Sequence, residues 1–313
     1  MIREENQRLH WQSKLILLVV VPWTAISVVL QSYFGLGRSP IVALTTLGVS
    51  GVFGVIVWRM RAGTPAAAAT GSLICASLMF STAGIGAPYI ELAPLLTVFV
   101  LTYAATKVGN AKKERLGVAE ERRGRNAAQV AANLGIAPLV AMAGSLGALS
   151  NWISDSSSVT VRTKLGLAVI LSHMIAVAAL AEAAADTVSS EVGQVFGGEP
   201  RLITTWRRVP IGTDGGVTAI GTGAGALAAV VVAAISTFVF RGGEVLLSKE
   251  RSGREFAMLA SGGIFGLVFD SILGQTLERK GLLNNDAVNF LSTLSAVIVV
   301  IAEIWIFGFP IEG

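Results

Sequence analysis

The sequence of 313 residues is poor in charge, contains one cysteine and lacks helices with one polar and one apolar face. Charged residues make up 14% of the chain, whereas an ordinary soluble protein carries about 25%. Because a soluble helical protein of this size needs polar faces on its helices, their absence excludes an ordinary soluble helical fold. The single cysteine, Cys75, excludes an intrachain disulfide and leaves the redox compartment undetermined.

The motifs of common soluble enzymes are also missing. The sequence has no Cys/His metal-binding spacing, no Gly-x-Ser-x-Gly turn in a strand context and no dinucleotide-binding fingerprint. A soluble hydrolase or redox enzyme is therefore left without support. The net charge of +4 does not indicate a nucleic-acid partner, because in a membrane protein basic residues mainly mark the loops on one side.

Long apolar runs dominate the chain, and each is close to the roughly 20 residues that a helix needs to cross the hydrocarbon core. We therefore predict an all-α, polytopic membrane helix bundle that forms a single domain over residues 1–313. The first run lacks a small-residue cleavage site, so we expect it to remain as a span. The nine predicted spans cover residues 15–34, 40–58, 65–85, 89–106, 127–149, 165–185, 218–240, 256–273 and 287–309.

The distribution of Lys and Arg predicts the orientation of the bundle. Basic residues are more frequent in the loops that lie inside if the N-terminus is cytoplasmic. This orientation places the polar N-terminus 1–14, the basic loop 107–126 and the long loop 186–217 in the cytoplasm. The loop 241–254 opposes it, because its basic residues would lie outside. The protein is thus expected to be a multi-pass protein of an inner or plasma membrane, with its active-site loops on the cytoplasmic side.

The first candidate functional segment is the basic loop and the start of the span that follows it. The amides Asn126, Gln129 and Asn133 are spaced to share one helix face. Amides on a face in lipid need hydrogen-bond partners. The alternative is an ordinary positive-inside loop followed by amides that pack helices together.

The second candidate segment is acidic and closes the sixth predicted span. Asp186 and Ser190 are four residues apart and share a helix face, and Glu191 joins them if the helix ends near Gly193. Carboxylate and hydroxyl oxygens of this kind suit Mg²⁺. The alternative is a solvated helix C-terminus, although acidic groups there oppose the helix macrodipole.

Two further segments complete the set of candidates. Residues 212–216 read Gly-Thr-Asp-Gly-Gly before a helix, where backbone N–H groups can bind phosphate. This signal is weak by itself. Asp270 lies at the edge of the hydrocarbon, where an ionisable residue indicates function. Asn284 is expected to cap the last helix.

Three ionisable residues lie inside predicted spans, away from these segments. They are His173, Glu182 and Glu303. We interpret each as a buried, hydrogen-bonded group, and a proton relay is the less favoured alternative.

These segments together resemble an uncharacterised integral-membrane family that includes transmembrane protein 19 and the plant and cyanobacterial phytyl-phosphate kinases. The family pattern accepts Asn in place of Asp214 and Asp286, so these two are not counted as metal ligands. The Asp-Thr-x-x-Ser-Glu block also resembles the motif of dolichol and phytol kinases, which use CTP. The resemblance is carried by Lys113, by Arg125-Asn126-x-x-Gln129-Val130-x-x-Asn133, by the blocks at 185–193, 200–206 and 209–218, by Asp270-Ser271-x-x-Gly274 and by Asn285-x-Ala287-Val288-Asn289.

The resemblance implies a Mg²⁺-dependent membrane kinase. It would transfer a phosphoryl group from a nucleoside triphosphate, with CTP favoured, to an isoprenyl monophosphate such as phytyl phosphate. The implied catalytic residues are Asp186, Ser190, Lys113 and Arg125, and the implied metal ligands are Asp186, Glu191 and Asp270. The implied nucleotide- or phosphate-binding residues are Lys107, Asn126, Gln129, Asn133, Arg201, Thr213, Gly215, Gly216, Asn285 and Asn289.

Two other functions remain open from the sequence. A Mg²⁺-dependent cytidylyltransferase acting on a lipid phosphate needs the same residue types. A non-enzymatic transporter predicts polar residues from one membrane face to the other, whereas the sequence collects them on one face. The expected partners are a nucleoside triphosphate, an isoprenyl-phosphate lipid and membrane lipid.

Overall fold

A computed structural model describes residues 9–83, 87–119, 124–142, 159–242 and 249–308. The first half contains α1 His10–Arg38, α2 Pro40–Arg59, α3 Pro65–Ala83, α4 Tyr89–Lys107, α5 Asn110–Leu116 and α6 Ala127–Leu134, followed after a bend at Gly135 by helical residues 136–142. The second half contains α7 Val159–Phe196, β1 Arg201–Leu202, β2 Gly216–Val217, α8 Ala219–Gly242, α9 Lys249–Leu273, the π-helical turn Gly274–Glu278 and α10 Asn285–Phe307.

Eight of the described helices, α1 to α4 and α7 to α10, are long and apolar enough to cross a membrane. Each coincides with a predicted span, so the predicted all-helical membrane bundle is confirmed. The other predicted span, 127–149, is bent at Gly135, and its last residues, 143–149, lie outside the described residues. Residues 1–8 of the polar N-terminus, 120–123 of the basic loop and 243–248 of the loop 241–254 also lie outside them.

The helix α7 is the longest element and forms the centre of the bundle. It packs against α4, α8, α9 and α10. The prediction that a loop begins at Asp186 is wrong, because α7 continues to Phe196. At 38 residues it is about 57 Å long at 1.5 Å per residue, so its end extends beyond the hydrocarbon core.

Glycines explain why α7 does not end near Gly193. An added Cβ at Gly193 would lie 3.0 Å from Thr218 Oγ1, and one at Gly221 would lie 2.6 Å from the Ser189 carbonyl oxygen. A Cβ at Gly225 would lie 2.5 Å from the Ala185 carbonyl oxygen. Small residues of this kind let the backbones of two membrane helices approach closely. Gly193 therefore serves helix packing rather than helix termination.

A short hairpin between α7 and α8 positions the glycine turn 212–216. Its two strands pair antiparallel, with Arg201 opposite Val217 and Leu202 opposite Gly216. Gly215 has φ +70°, and a Cβ there would lie 2.6 Å from the Ser271 carbonyl oxygen. Only glycine fits this close approach, so the turn rests directly on the end of α9.

Two hydrogen-bonded ionisable groups, the buried His173 and the half-buried Glu303, lie away from this end of the bundle. His173 Nδ1 is 2.8 Å from Glu91 Oε1, and Ser236 Oγ is 3.0 Å from His173 Nε2. Ser261 Oγ donates to Glu303 Oε1 over 2.8 Å. The interpretation of His173 and Glu303 as hydrogen-bonded groups is therefore confirmed, and these contacts join neighbouring helices.

Candidate functional site

A polar cavity of about 340 Å³ lies where the ends of several helices meet. Its walls are the last turns of α7, the end of α9 with its π-helical turn, the glycine turn 212–216 and the first turns of α6 and α10. Twelve of the residues predicted for the site line it: Arg125, Gln129, Asn133, Asp186, Ser190, Glu191, Thr213, Gly215, Gly216, Asp270, Asn285 and Asn289. Residues distant in sequence are thus brought together at one end of the bundle.

Asp186 of α7 and Asp270 of α9 face each other across the polar cavity. The two helices that carry them pack against each other, so both carboxyl groups line the same cavity. Asp270 Oδ1 is buried and has no hydrogen-bond partner. A buried polar atom without a partner is uncommon and costs free energy, so this oxygen indicates a position where a ligand or ion would be bound.

Lys113 does not reach the polar cavity. Only 1% of its side chain is exposed, and its Nζ lies 2.5 Å from Glu191 Oε2 and 2.6 Å from the Thr106 carbonyl oxygen. Glu191 Oε1 also accepts a hydrogen bond from Thr106 Oγ1 over 3.3 Å. The structure therefore assigns Lys113 to the support of Glu191, in place of the predicted contact with phosphate.

Replacing Lys113 by alanine is expected to destabilise the protein by about 3–5 kcal/mol, because the Glu191 carboxylate would lose its buried partner. The melting temperature of the purified protein in detergent measures this effect. Arg115→Ala is the matched control, because Arg115 is exposed on the same helix. An unchanged melting temperature for Lys113→Ala would contradict the assignment.

Two backbone hydrogen bonds hold Arg125 in place, and its side chain lines the polar cavity. Its N–H donates to the Ala62 carbonyl oxygen over 3.1 Å, and its carbonyl oxygen accepts from Thr64 N over 2.9 Å. Gly124, at φ +72°, allows this approach, since a Cβ there would lie 2.6 Å from the Ala62 backbone. The guanidinium group then donates to Thr187 Oγ1 over 3.2 Å.

The amides of α6 have two different roles. Asn126 and Gln129 form a capping box, with Gln129 N donating to Asn126 Oδ1 over 3.0 Å and Asn126 N donating to Gln129 Oε1 over 2.8 Å. Asn133 Oδ1 accepts from Asn289 Nδ2 of α10 over 3.3 Å. We expected amides on this helix face to need hydrogen-bond partners, and Asn133 has one in Asn289.

Three other predicted residues lie outside the polar cavity. Asn126 is exposed at the helix start. Lys107 is exposed and lies over the ring of Tyr103, 5.2 Å from its centroid. Arg201 is exposed in the hairpin and donates to the Trp206 carbonyl oxygen over 3.1 Å. The structure therefore gives none of the three a contact with the polar cavity.

Three acidic residues outside the predicted site also lie near it: Glu278 was missed, Asp214 was not counted as a ligand, and Glu182 was interpreted only as a buried, hydrogen-bonded group. Glu278 lines the polar cavity because the π-helical turn places it there, and no sequence signal marks such a turn. Asp214 lines it from the glycine turn. Glu182 lies one turn of α7 below Asp186, and its Oε1 is buried without a hydrogen-bond partner. The repeat of acidic residues along α7 was the signal for Glu182.

The charge of the lining decides which ligands fit. Five carboxylates line the polar cavity: Asp186, Glu191, Asp214, Asp270 and Glu278. In the part of the chain that the structure describes, Arg125 is the single basic side chain among them. An anionic ligand would be repelled from such a lining unless cations entered with it.

The donor set fits Mg²⁺ that is shared with a phosphate ligand. No group of three His, Cys, Asp or Glu side chains within the described ranges is arranged to hold a metal ion by itself. Mg²⁺ usually takes only one or two carboxylates together with water and substrate phosphates. Asp186 and Asp270 supply such a pair, whereas Glu191, the third predicted ligand, is held by Lys113.

Comparison with known proteins gives a family and several relatives. The family described as "Integral membrane protein DUF92" matches residues 48–297. Protein PGR of Arabidopsis thaliana is 33% identical over 243 residues, which cover 68% of this chain and 82% of that protein. Protein VTE6, chloroplastic, of the same plant is 29% identical over 209 residues, covering 66% of this chain and 56% of that protein.

An uncharacterised membrane protein of Methanocaldococcus jannaschii is 37% identical over 123 residues. This match covers 39% of the chain and 48% of the archaeal protein, so the chain spans about half the length of that relative. No solved structure matches the chain.

Proposed function

The chain belongs to the DUF92 family of integral membrane proteins, and from this premise and the polar cavity we propose a Mg²⁺-dependent kinase that phosphorylates an isoprenyl monophosphate. The phosphoryl donor is a nucleoside triphosphate, with CTP favoured by the resemblance to dolichol and phytol kinases. The product is an isoprenyl diphosphate. The family that the motifs resemble includes phytyl-phosphate kinases, which supports this choice of substrate.

The excess of carboxylates in the polar cavity is the observation that carries the proposal. Both substrates are polyanions, and the described lining offers them a single guanidinium group, that of Arg125. A site with this charge binds phosphates only together with divalent cations. Catalysis of phosphoryl transfer consists mainly of positioning and charge neutralisation, which such a site provides.

Asp186 and Asp270 are the residues that would hold Mg²⁺. Both side chains line the polar cavity from neighbouring helices, α7 and α9. In that position the ion would supply neutralisation of the charge on the donor phosphates. Glu191 adds a negative charge to the lining of the polar cavity, and its side chain is held by Lys113.

The proposed reaction joins the two phosphates in one displacement. A phosphate oxygen of the lipid attacks the γ-phosphorus of the nucleotide, and the bond from that phosphorus to the bridging oxygen breaks. The nucleoside diphosphate leaves with the electron pair of that bond. Arg125 neutralises the acceptor phosphate, and backbone N–H groups of the glycine turn 212–216 bind the donor phosphates. Ser190 and the amides of Gln129, Asn133, Asn285 and Asn289 orient them.

A cytidylyltransferase is the second candidate, since the same cavity could present the α-phosphorus of CTP to the lipid phosphate. It would release pyrophosphate in place of a nucleoside diphosphate. A transporter is less well supported, because the cavity-lining polar residues gather at one end of the bundle. In the proposed orientation this end faces the cytoplasm of an inner or plasma membrane, where nucleotides are available.

Dependence on Mg²⁺ tests the proposal. Purified full-length protein in lipid nanodiscs is mixed with phytyl or farnesyl monophosphate and with CTP, ATP, GTP or UTP. We expect isoprenyl diphosphate to form with Mg²⁺, to disappear with excess EDTA and to return when Mg²⁺ is restored. Folded protein that forms no diphosphate with any of the four nucleotides would contradict the proposal.

A further inference from the structure

A second cavity of about 360 Å³ lies beside the polar cavity, between α2, α3, α4 and α6. One part of its wall is apolar, with Phe53 and Val57 from α2 and Leu95, Val98 and Phe99 from α4, and polar residues line the rest. We refer to it as the apolar cavity. A cavity of this size and lining is typical of a site for a small apolar ligand.

The apolar cavity lies between two helices that pack on a third. Both α2 and α4 pack against α3. Phe53 and Phe99 meet edge to face with ring centroids 5.5 Å apart, and Phe99 stacks on Tyr103 at 5.9 Å. Gly71 of α3 lines the cavity beside the Phe53 ring, and its lack of a side chain leaves space there.

Basic side chains surround one end of the apolar cavity. Arg61 lies two residues after α2, Lys107 ends α4 and Arg125 precedes α6. Glu114 is the acidic side chain among the described lining residues, and its carboxylate accepts a hydrogen bond from Asn110 over 3.0 Å. An apolar interior with a cationic mouth matches a molecule that has one apolar chain and an anionic head.

Arg125 and Asn133 line both cavities. An anionic head bound at Arg125 would therefore have the apolar cavity on one side and Asp186 and Asp270 on the other. We infer that the apolar cavity binds the isoprenoid chain of the acceptor lipid, so that Arg125 holds its phosphate at the entrance of the polar cavity. This inference rests on the proposed function for the identity of the head group.

Photolabelling tests the site without requiring phosphoryl transfer. The probe is farnesyl monophosphate with a diazirine near the end of its chain, added to the full-length protein in nanodiscs. We expect the label in peptides that contain residues 53–57 or 95–99, and we expect unlabelled farnesyl monophosphate to compete. Label confined to other helices, or competed equally well by phosphatidic acid, would overturn the inference.

Filling the apolar cavity tests its effect on the substrate. A Cβ at Gly71 would be 3.7 Å from Phe53 Cε1, which is ordinary contact, so Gly71→Leu should fold and occupy the space. We expect it to reduce labelling, and to reduce kcat/KM for phytyl monophosphate about tenfold or more while isopentenyl monophosphate is little affected. Equal losses for both lipids, or no loss, would overturn the inference.

Matched variants keep the result interpretable. Gly51→Leu is the control, because Gly51 is exposed on α2 and a Cβ there has no neighbour within 4 Å. If Gly71→Leu does not fold, Gly71→Ala adds a Cβ that makes only ordinary contact with Phe53, and the wild-type labelling pattern decides independently. The label could appear in the apolar cavity while no nucleotide donates a phosphoryl group. That result would contradict the proposed kinase but would support the apolar cavity as the binding site of the isoprenoid chain.

Discussion

Asp186→Asn is expected to reduce formation of isoprenyl diphosphate by about a thousandfold or more. The substitution keeps the shape of the side chain but removes the charge that would hold Mg²⁺ opposite Asp270. The change falls on kcat, since charge neutralisation matters most in the transition state. Initial rates at saturating nucleotide and lipid measure it, and raised Mg²⁺ should recover only part of the activity.

Glu303→Gln is the matched control for this substitution. Glu303 also lies in a membrane-spanning helix, where it accepts a hydrogen bond from Ser261 away from the polar cavity. We expect Glu303→Gln to keep nearly full activity. The elution volume in size-exclusion chromatography and the melting temperature show whether each variant is folded. A folded Asp186→Asn variant with wild-type rates would remove Asp186 from the metal site.

Arg125→Ala is expected to lower kcat/KM for the lipid phosphate by about a hundredfold or more. Arg125 is the single basic side chain lining the described part of the polar cavity, so its loss leaves the acceptor phosphate facing carboxylates. The fold should survive, because the contacts with Ala62 and Thr64 are made by the backbone of Arg125. Arg125→Lys should be intermediate, since lysine keeps the charge but not the planar fork.

Arg208→Ala is the control for loss of a positive charge on the same side. Arg208 is exposed and pairs with Glu199 over 2.9 Å, and exposed pairs of this kind contribute little. We expect its rates to match those of the wild type. Arg125→Ala with an unchanged KM for the lipid and an unchanged kcat would contradict the placement of the acceptor phosphate.

The fold was largely predictable because the membrane imposes a simple rule. Backbone groups in lipid must be satisfied within helices, so an apolar run of sufficient length is a helix. The end of α7 was not predictable in this way. It continues past Asp186 because Gly193 packs against the start of α8, and that tertiary contact has no signal within the sequence of α7 itself.

The site was predictable where one helix alone fixes the spacing. Asp186 and Ser190 share a face of α7, and Asn133 lies on the inner face of α6, so all three line the polar cavity. Lys113 was predicted to contact phosphate, but α5 directs its ammonium group to Glu191 instead. Glu278 enters the site through a π-helical turn, and a pairing or a turn of that kind has no local sequence pattern.

The fate of the nucleotide phosphates tests the central claim most directly. Wild-type protein is given an isoprenyl monophosphate, Mg²⁺ and CTP labelled either at the γ-phosphorus or at the α-phosphorus. The proposed kinase predicts that the lipid diphosphate carries the γ label and none of the α label. It also predicts that Asp270→Asn forms neither the lipid diphosphate nor CDP. Label from the α-phosphorus in the lipid, with release of pyrophosphate, would contradict it.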